Sequence, residues 1–307
     1  MKGLFYRCLI VLANIFGSWV FVITSRIIAF GYFILSPQVK ESRRFYRILY
    51  PSRTKFFHLW CTFRQYQNFT AVYFDRLPAK NHSEISCSSK GLEHLEKALA
   101  GEGGVLLMSH LGNWEVAAHL LQSQYDNLKL LLYMGIKEKE GIEGIQKQSL
   151  RKSGITIIGI DRDGGSPFDV VEGIQFIKSG GLVSLAGDIV WRDEQRTVQV
   201  EFLGHYAHLP EAPFVFALVS GAPLHIFFTF GSKKDGYHFT LSRPIYIRPA
   251  SRAQRGESIR QAAQQYANLL EENLRQHPFE WYHFNRFIGK ENGPVHSSRP
   301  RKKVLNK

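Results

Sequence analysis

His110 is followed five positions later by Glu115, and of the 12 histidines in the chain it alone has a carboxylate at that spacing. Set across a turn, such a pair lets the carboxylate hold one imidazole nitrogen while the other nitrogen takes a proton from a hydroxyl or an amine. The carboxylate fixes the tautomer and stabilises the imidazolium. This is half of a serine-hydrolase triad, and a substrate hydroxyl can supply the nucleophile without a covalent enzyme intermediate. The spacing alone is a weak signal, expected about once by chance in a chain with this many histidines. The setting strengthens it, because VLLMSH (105–110) reads as a buried strand with a polar end, Gly112 permits close backbone approach, and the following LGNWEVAAHLLQSQ turns into a helix. Two other readings stay open. His110, Glu115 and His119 are a candidate metal set, against which the HExxH order and any completing Asp/His cluster are missing. A strand-end histidine that merely packs or caps is the other.

The elements that position His110 follow from the apolar runs. Residues 128–134, 155–160, 181–187 and 222–230 are short buried-strand patterns, and they alternate with helical segments such as KGLEHLEKALAGEGG and IQKQSLRKSG, the latter stopped by Gly154. The expected fold is α/β, with a largely parallel central sheet flanked by helices across residues 90–289. In open sheets of this kind ligands gather at the C-terminal strand edge, where His110 falls.

The first 90 residues differ in character. Residues 8–25 are uncharged and long enough as a helix to match a bilayer's hydrocarbon core, whereas the uncharged stretch 27–39 is too short to span alone. Residues 1–39 are therefore expected to be a membrane anchor with an interfacial continuation. Lys2 and Arg7 on one flank and Arg26, Arg43, Arg44 and Arg47 on the other leave its orientation ambiguous. A cleaved signal peptide is disfavoured, since no small-x-small site follows the apolar run. Residues 40–89 form a helical region whose stretch 53–77 spaces Phe56, Leu59, Trp60, Phe63 and Tyr66 as an aromatic amphipathic helix. Residues 290–307, rich in basic residues and without apolar period, are expected to be a flexible basic tail.

With 307 residues, 44% of them hydrophobic, the chain suffices for one sizeable domain with appendages. The formal charge of +13 favours an acidic partner: an anionic membrane, a phosphorylated substrate, an acidic carrier or nucleic acid. Nucleic acid is disfavoured, because the basic residues are dispersed and no reading motif is present. Cys8, Cys61 and Cys87 lack metal-site spacing, so a reducing compartment and no metal are expected.

Four blocks carry a resemblance: GVLLMSHLGNWEVAAHLL (104–121), SLAGD (184–188), FLGHYAHLPEAPFVFALVSGAP (202–223) and WYHFNRF (281–287). Over residues 90–288 the chain resembles the lysophospholipid acyltransferase superfamily, within it the lipid A biosynthesis (lauroyl/myristoyl) acyltransferase branch. The resemblance implies a membrane-anchored enzyme that moves a fatty acyl chain from a thioester to a hydroxyl or amine of a lipid or glycolipid. His110 and Glu115 would be its catalytic pair and Gly112, Asn113 and Trp114 its acceptor pocket. Phe202, Leu203 and Gly204 match a later pocket motif, and Asp188 matches the acidic residue that ends a strand. The implied co-substrate is acyl carrier protein or coenzyme A carrying the acyl chain, with no further cofactor. The implied location is the bacterial inner membrane, with the catalytic domain on the cytoplasmic side. Two departures stand out. Tyr133-Met134 falls where many members have an aromatic residue and then arginine, and Asp188 is followed by Ile189 where arginine is common. Both remove phosphate-binding charge that Arg162 and Arg192 are placed to restore, and an acceptor other than lipid A is expected. A catalytically silent lipid-binding protein and a metal-dependent lipid hydrolase are the competing functions.

Overall fold

A computed structural model describes residues 19–75, 87–125, 128–135, 142–160, 166–191, 194–232 and 236–289. The chain enters through three helices, α1 (Trp19–Leu35), α2 (Val39–Leu49) and α3 (Lys55–Asp75). Pro37 interrupts the first two, which meet at 92°. Arg26 is exposed and does not end α1, so one helix runs through the charge that divides the two apolar stretches in the sequence. On α1 the buried positions Ser25 and Ala29 face the protein, and Trp19, Ile23, Ile27, Phe30 and Ile34 repeat every three or four residues as an exposed apolar stripe. Among the described residues no single helix is long and apolar enough to cross a membrane; most of the expected span, residues 8–18, lies outside them. Helix α3 matches its expected range closely and packs on α1 through edge-to-face rings, Phe33 against Phe63 at 5.4 Å.

The α/β part follows as β1 (Cys87–Lys90), α4 (Leu92–Lys97), β2 (Gly104–Met108), α5 (Trp114–Gln124), β3 (Leu130–Gly135), α6 (Ile142–Lys152) and β4 (Thr156–Ile160). Then come α7 (Pro167–Lys178), β5 (Leu182–Ala186), β6 (Thr197–Phe202), β7 (His205–Pro210), α8 (Ala212–Ser220), β8 (Leu224–Ser232), β9 (Gly236–Leu241) and α9 (Arg255–Gln276). Seven strands form one sheet in the order β1-β9-β8-β2-β5-β3-β4, parallel throughout except for the β8/β9 pair. The expected parallel sheet is present. Side chains on β2 alternate as a strand demands: Val105 and Leu107 join one core with Tyr266 and Leu270 of α9, and Leu106 and Met108 join a second core with Val116 and Leu120 of α5. Every residue of β2 is buried, as befits a central strand covered on both faces.

Strands β6 and β7 form a separate antiparallel hairpin. Its tip is Leu203-Gly204, both at positive φ.

Candidate active site

At the C-terminal edge of the sheet, β2 and its parallel neighbour β5 are in register, with Met108 beside Ala186. Two residues beyond each strand end, His110 and Asp188 therefore come side by side. The Nδ1 of His110 lies 2.9 Å from Oδ1 of Asp188, and the backbone N–H of His110 donates to Oδ2 of the same carboxylate at 2.8 Å. The Trp281 indole N–H also donates to Oδ2, at 2.9 Å. Asp188 is completely buried. Burial works to raise its pKa, but the charge and hydrogen bond of His110, with His283 and the Trp281 donor, outweigh it and hold the carboxyl at about 2. An ionised carboxylate only accepts hydrogen bonds, so the proton of the neutral imidazole sits on Nδ1 and Nε2 keeps its lone pair. Nε2 is then the ring nitrogen able to accept a proton.

The turn after His110 is clamped from two sides. The Gly112 N–H donates to the Glu280 carbonyl at 2.9 Å, the Asn113 N–H to the Thr229 carbonyl at 2.9 Å, and the Tyr282 N–H to the His110 carbonyl at 2.8 Å. Gly112 is required here: its φ is +82°, and a Cβ would stand 2.0 Å from the Thr229 carbonyl oxygen. Asn113 then caps α5, its side-chain oxygen accepting from the Val116 N–H at 3.3 Å.

His110 lines a cavity of about 450 Å³. Gly112, Trp114, Tyr133 and Met134, all nominated by the sequence, line it too. Its far wall comes from the N-terminal helices and the C-terminal segment, with Tyr32, Tyr66, Phe69, Tyr282 and Phe284. Aromatic contacts hold that wall together, Phe69 lying 4.9 Å and 5.4 Å from the rings of Phe284 and Tyr282. Part of the aromatic helix α3 thus serves the cavity and not only the core.

Residues 63–287 match the family described as bacterial lipid A biosynthesis acyltransferase. The chain belongs to that family. Curated relatives are named phosphatidylinositol mannoside acyltransferase. One from Mycobacterium tuberculosis is 27% identical over 219 residues, covering 67% of this chain and 63% of the relative. Another, from Mycolicibacterium smegmatis, is 25% identical over 217 residues, covering 67% and 64%. The matched region spans a little under two thirds of the length of these relatives.

Within this family member the nominated residues separate into groups. The carboxylate on the His110 ring is Asp188, so the ring-holding role that the sequence spacing gives to Glu115 is filled on Nδ1 from another strand. Glu115 is buried in the first turn of α5. Asp188, nominated for substrate contact, is instead enclosed behind the imidazole. Asn113 is buried as a helix cap. Phe202, Leu203 and Gly204 are not among the described residues lining the cavity; they form the hairpin tip, where Phe202 packs 5.6 Å from the Trp281 ring and the Leu203 N–H donates to Glu271 at 2.6 Å. Arg162 and Arg192 lie outside the described residues. His119, the third member of the candidate metal set, has Nδ1 3.0 Å from the Ser153 hydroxyl. Sequence reasoning did not assign roles to Trp281 or Lys147. Trp281 lay in a quoted block, WYHFNRF, but nothing in that block points to Asp188. A single lysine on an amphipathic helix carries no signal at all.

Proposed function

We propose that the protein is an acyltransferase that moves a fatty acyl chain from a thioester of coenzyme A or acyl carrier protein to a hydroxyl of a membrane glycolipid. The observation that carries this reading is the buried, ionised Asp188 on Nδ1 of His110 at the wall of a largely aromatic cavity. In the proposed step Nε2 of His110 takes the acceptor's proton as its oxygen attacks the thioester carbonyl carbon. The tetrahedral intermediate then collapses with cleavage of the C–S bond, and the departing thiolate recovers the proton from the imidazolium. Asp188 stabilises the imidazolium throughout. The start of α5, whose first residue Trp114 lines the cavity, favours developing negative charge through its helix dipole.

Two further features support a lipid substrate. The exposed apolar stripe of α1 suits insertion into a bilayer's interfacial region, next to the cavity that Tyr32 of the same helix lines. The relatives' printed names point to a phosphatidylinositol mannoside as the first acceptor to try.

The test is acyl transfer by the purified protein, with palmitoyl-coenzyme A and phosphatidylinositol mannoside in mixed micelles and mass spectrometry to detect the gain of one acyl chain. A folded His110→Ala variant is expected to lose about 10²- to 10⁴-fold in rate. An undiminished rate in that variant would remove His110 from the mechanism. Lipid profiles of cells with and without the protein, unchanged in every acylated species, would remove the acyltransferase reading itself.

A further inference from the structure

Lys147 on α6 is only 7% exposed, yet it lines the same cavity as His110. Lysines are almost never enclosed to this extent without a functional or structural partner, because the ammonium loses most of its hydration. Among the described residues lining the cavity it is the sole Lys, Arg, Asp or Glu. Met134 at the end of β3 and Ile189 just past β5 line that cavity as apolar side chains. Apart from Lys147 the described lining is made of His110, apolar and aromatic residues and neutral polar side chains such as Ser36, Gln38 and Asn285.

We propose that Lys147 is the phosphate-recognition residue of this site, a cation supplied from α6. This rests on the reading of the cavity as the acyl-transfer site. The ligand chemistry is a phosphate ester, which either the acceptor lipid or the coenzyme A or phosphopantetheine arm of the donor carries. The ammonium has three N–H donors, so a phosphate oxygen can join the interaction Lys147 already makes in the resting protein. Lysine acts here as a point charge rather than a bidentate fork, so it accepts phosphate mono- and diesters in more than one orientation.

The experiment compares binding of matched probes to wild type, Lys147→Met and Lys147→Arg, without turnover. The acceptor arm uses phosphatidylinositol against a neutral galactosyl diacylglycerol of the same chains, each in neutral detergent micelles. The donor arm uses coenzyme A against pantetheine. Lys147→Met is expected to weaken a phosphate-bearing probe by about ten- to a hundredfold, the range for a hydrogen bond to a charged group. Its phosphate-free counterpart should be unchanged, and Lys147→Arg should recover most of the affinity. Loss confined to phosphatidylinositol assigns the phosphate to the acceptor, and loss confined to coenzyme A assigns it to the donor. Equal loss on both members of a pair, or no loss with any of the four probes, overturns the proposal. So does a wild type that binds both members of each pair equally, whatever the fold of the variant. Phosphate-selective binding through Lys147 in a protein that transfers no acyl chain would remove the acyltransferase reading and leave this one standing.

Discussion

Replacing Asp188 by asparagine tests the His110 dyad most sharply, because the three hydrogen bonds to the carboxylate constrain where the amide can place its two ends. Two N–H donors, from the His110 backbone and the Trp281 indole, meet at Oδ2. The amide oxygen must take that position, since an NH₂ group there would face two donors. The NH₂ is then left opposite Nδ1 of His110, where the wild-type carboxylate oxygen accepts at 2.9 Å. A donor at that place turns Nδ1 into an acceptor and moves the imidazole proton to Nε2, the nitrogen that must be free to act as base. The lost charge also leaves the imidazolium unstabilised. Together these should cost most of a general base's contribution, about 10²- to 10⁴-fold in kcat, or roughly 3–5 kcal/mol at 1.36 kcal/mol per decade. The assay is thiol release from palmitoyl-coenzyme A in the presence of the acceptor, with Glu115→Gln measured in parallel. The expected pattern is a collapse of kcat in Asp188→Asn with little change in acceptor KM. If Asp188→Asn kept wild-type kcat while Glu115→Gln lost it, the ring partner would be Glu115 and the reasoning from Nδ1 would fail.

Trp281→Phe keeps most of the packing but removes one donor to Asp188; a hydrogen bond to a charged group is worth about 1.5–3 kcal/mol, so a fall of roughly tenfold or more in kcat is expected, and unchanged turnover would show that the indole N–H does not hold the carboxylate. Gly112→Ala forces a Cβ to within 2.0 Å of the Thr229 carbonyl oxygen at a φ of +82°, so a loss of about 2–4 kcal/mol in urea denaturation is expected. Asp188, held at about 2 against an ordinary value near 4, contributes stability that is present above its ordinary pKa and lost as pH falls from about 4 to 2; the loss should be about 2 kcal/mol by denaturant titration, and Asp188→Asn should flatten it. His225 behaves in a higher window. It is buried, and burial pushes its pKa down to about 4. The unfolded chain takes up the proton first, so stability should fall by about 3 kcal/mol between pH 6.5 and 4, and His225→Leu should remove that slope without destabilising the protein at pH 7.

The distance between reading the fold and reading the site is visible in His110 itself. Its strand, its turn glycine and the helix after it are local patterns, and each was legible because burial on β2, the positive φ at Gly112 and the Asn113 cap all act within ten residues. The same holds for the strand runs at β3, β5 and β8, whose apolar character reflects cover on both faces, while the edge strand β4 buries only Ile158. The partner of the imidazole has a different origin. Asp188 is 78 residues from His110 and Trp281 is 93 from Asp188, so no spacing rule relates them. What relates them is strand adjacency: β5 returns beside β2, on the far side of β3 and β4 in sequence, and a parallel register then carries equal overhangs to the same height. An aspartate two residues past one apolar run and a histidine two residues past another were both in the sequence, but only the strand order makes that equality meaningful. Glu115 was the carboxylate that local spacing offered, and it is buried in the first turn of α5. A search for acids just past the ends of buried strand runs would have raised Asp188 as a rival to Glu115, since it directly follows the 181–187 run. It would not have found Trp281 or Lys147, whose placement depends on how the C-terminal segment and α6 close over that edge.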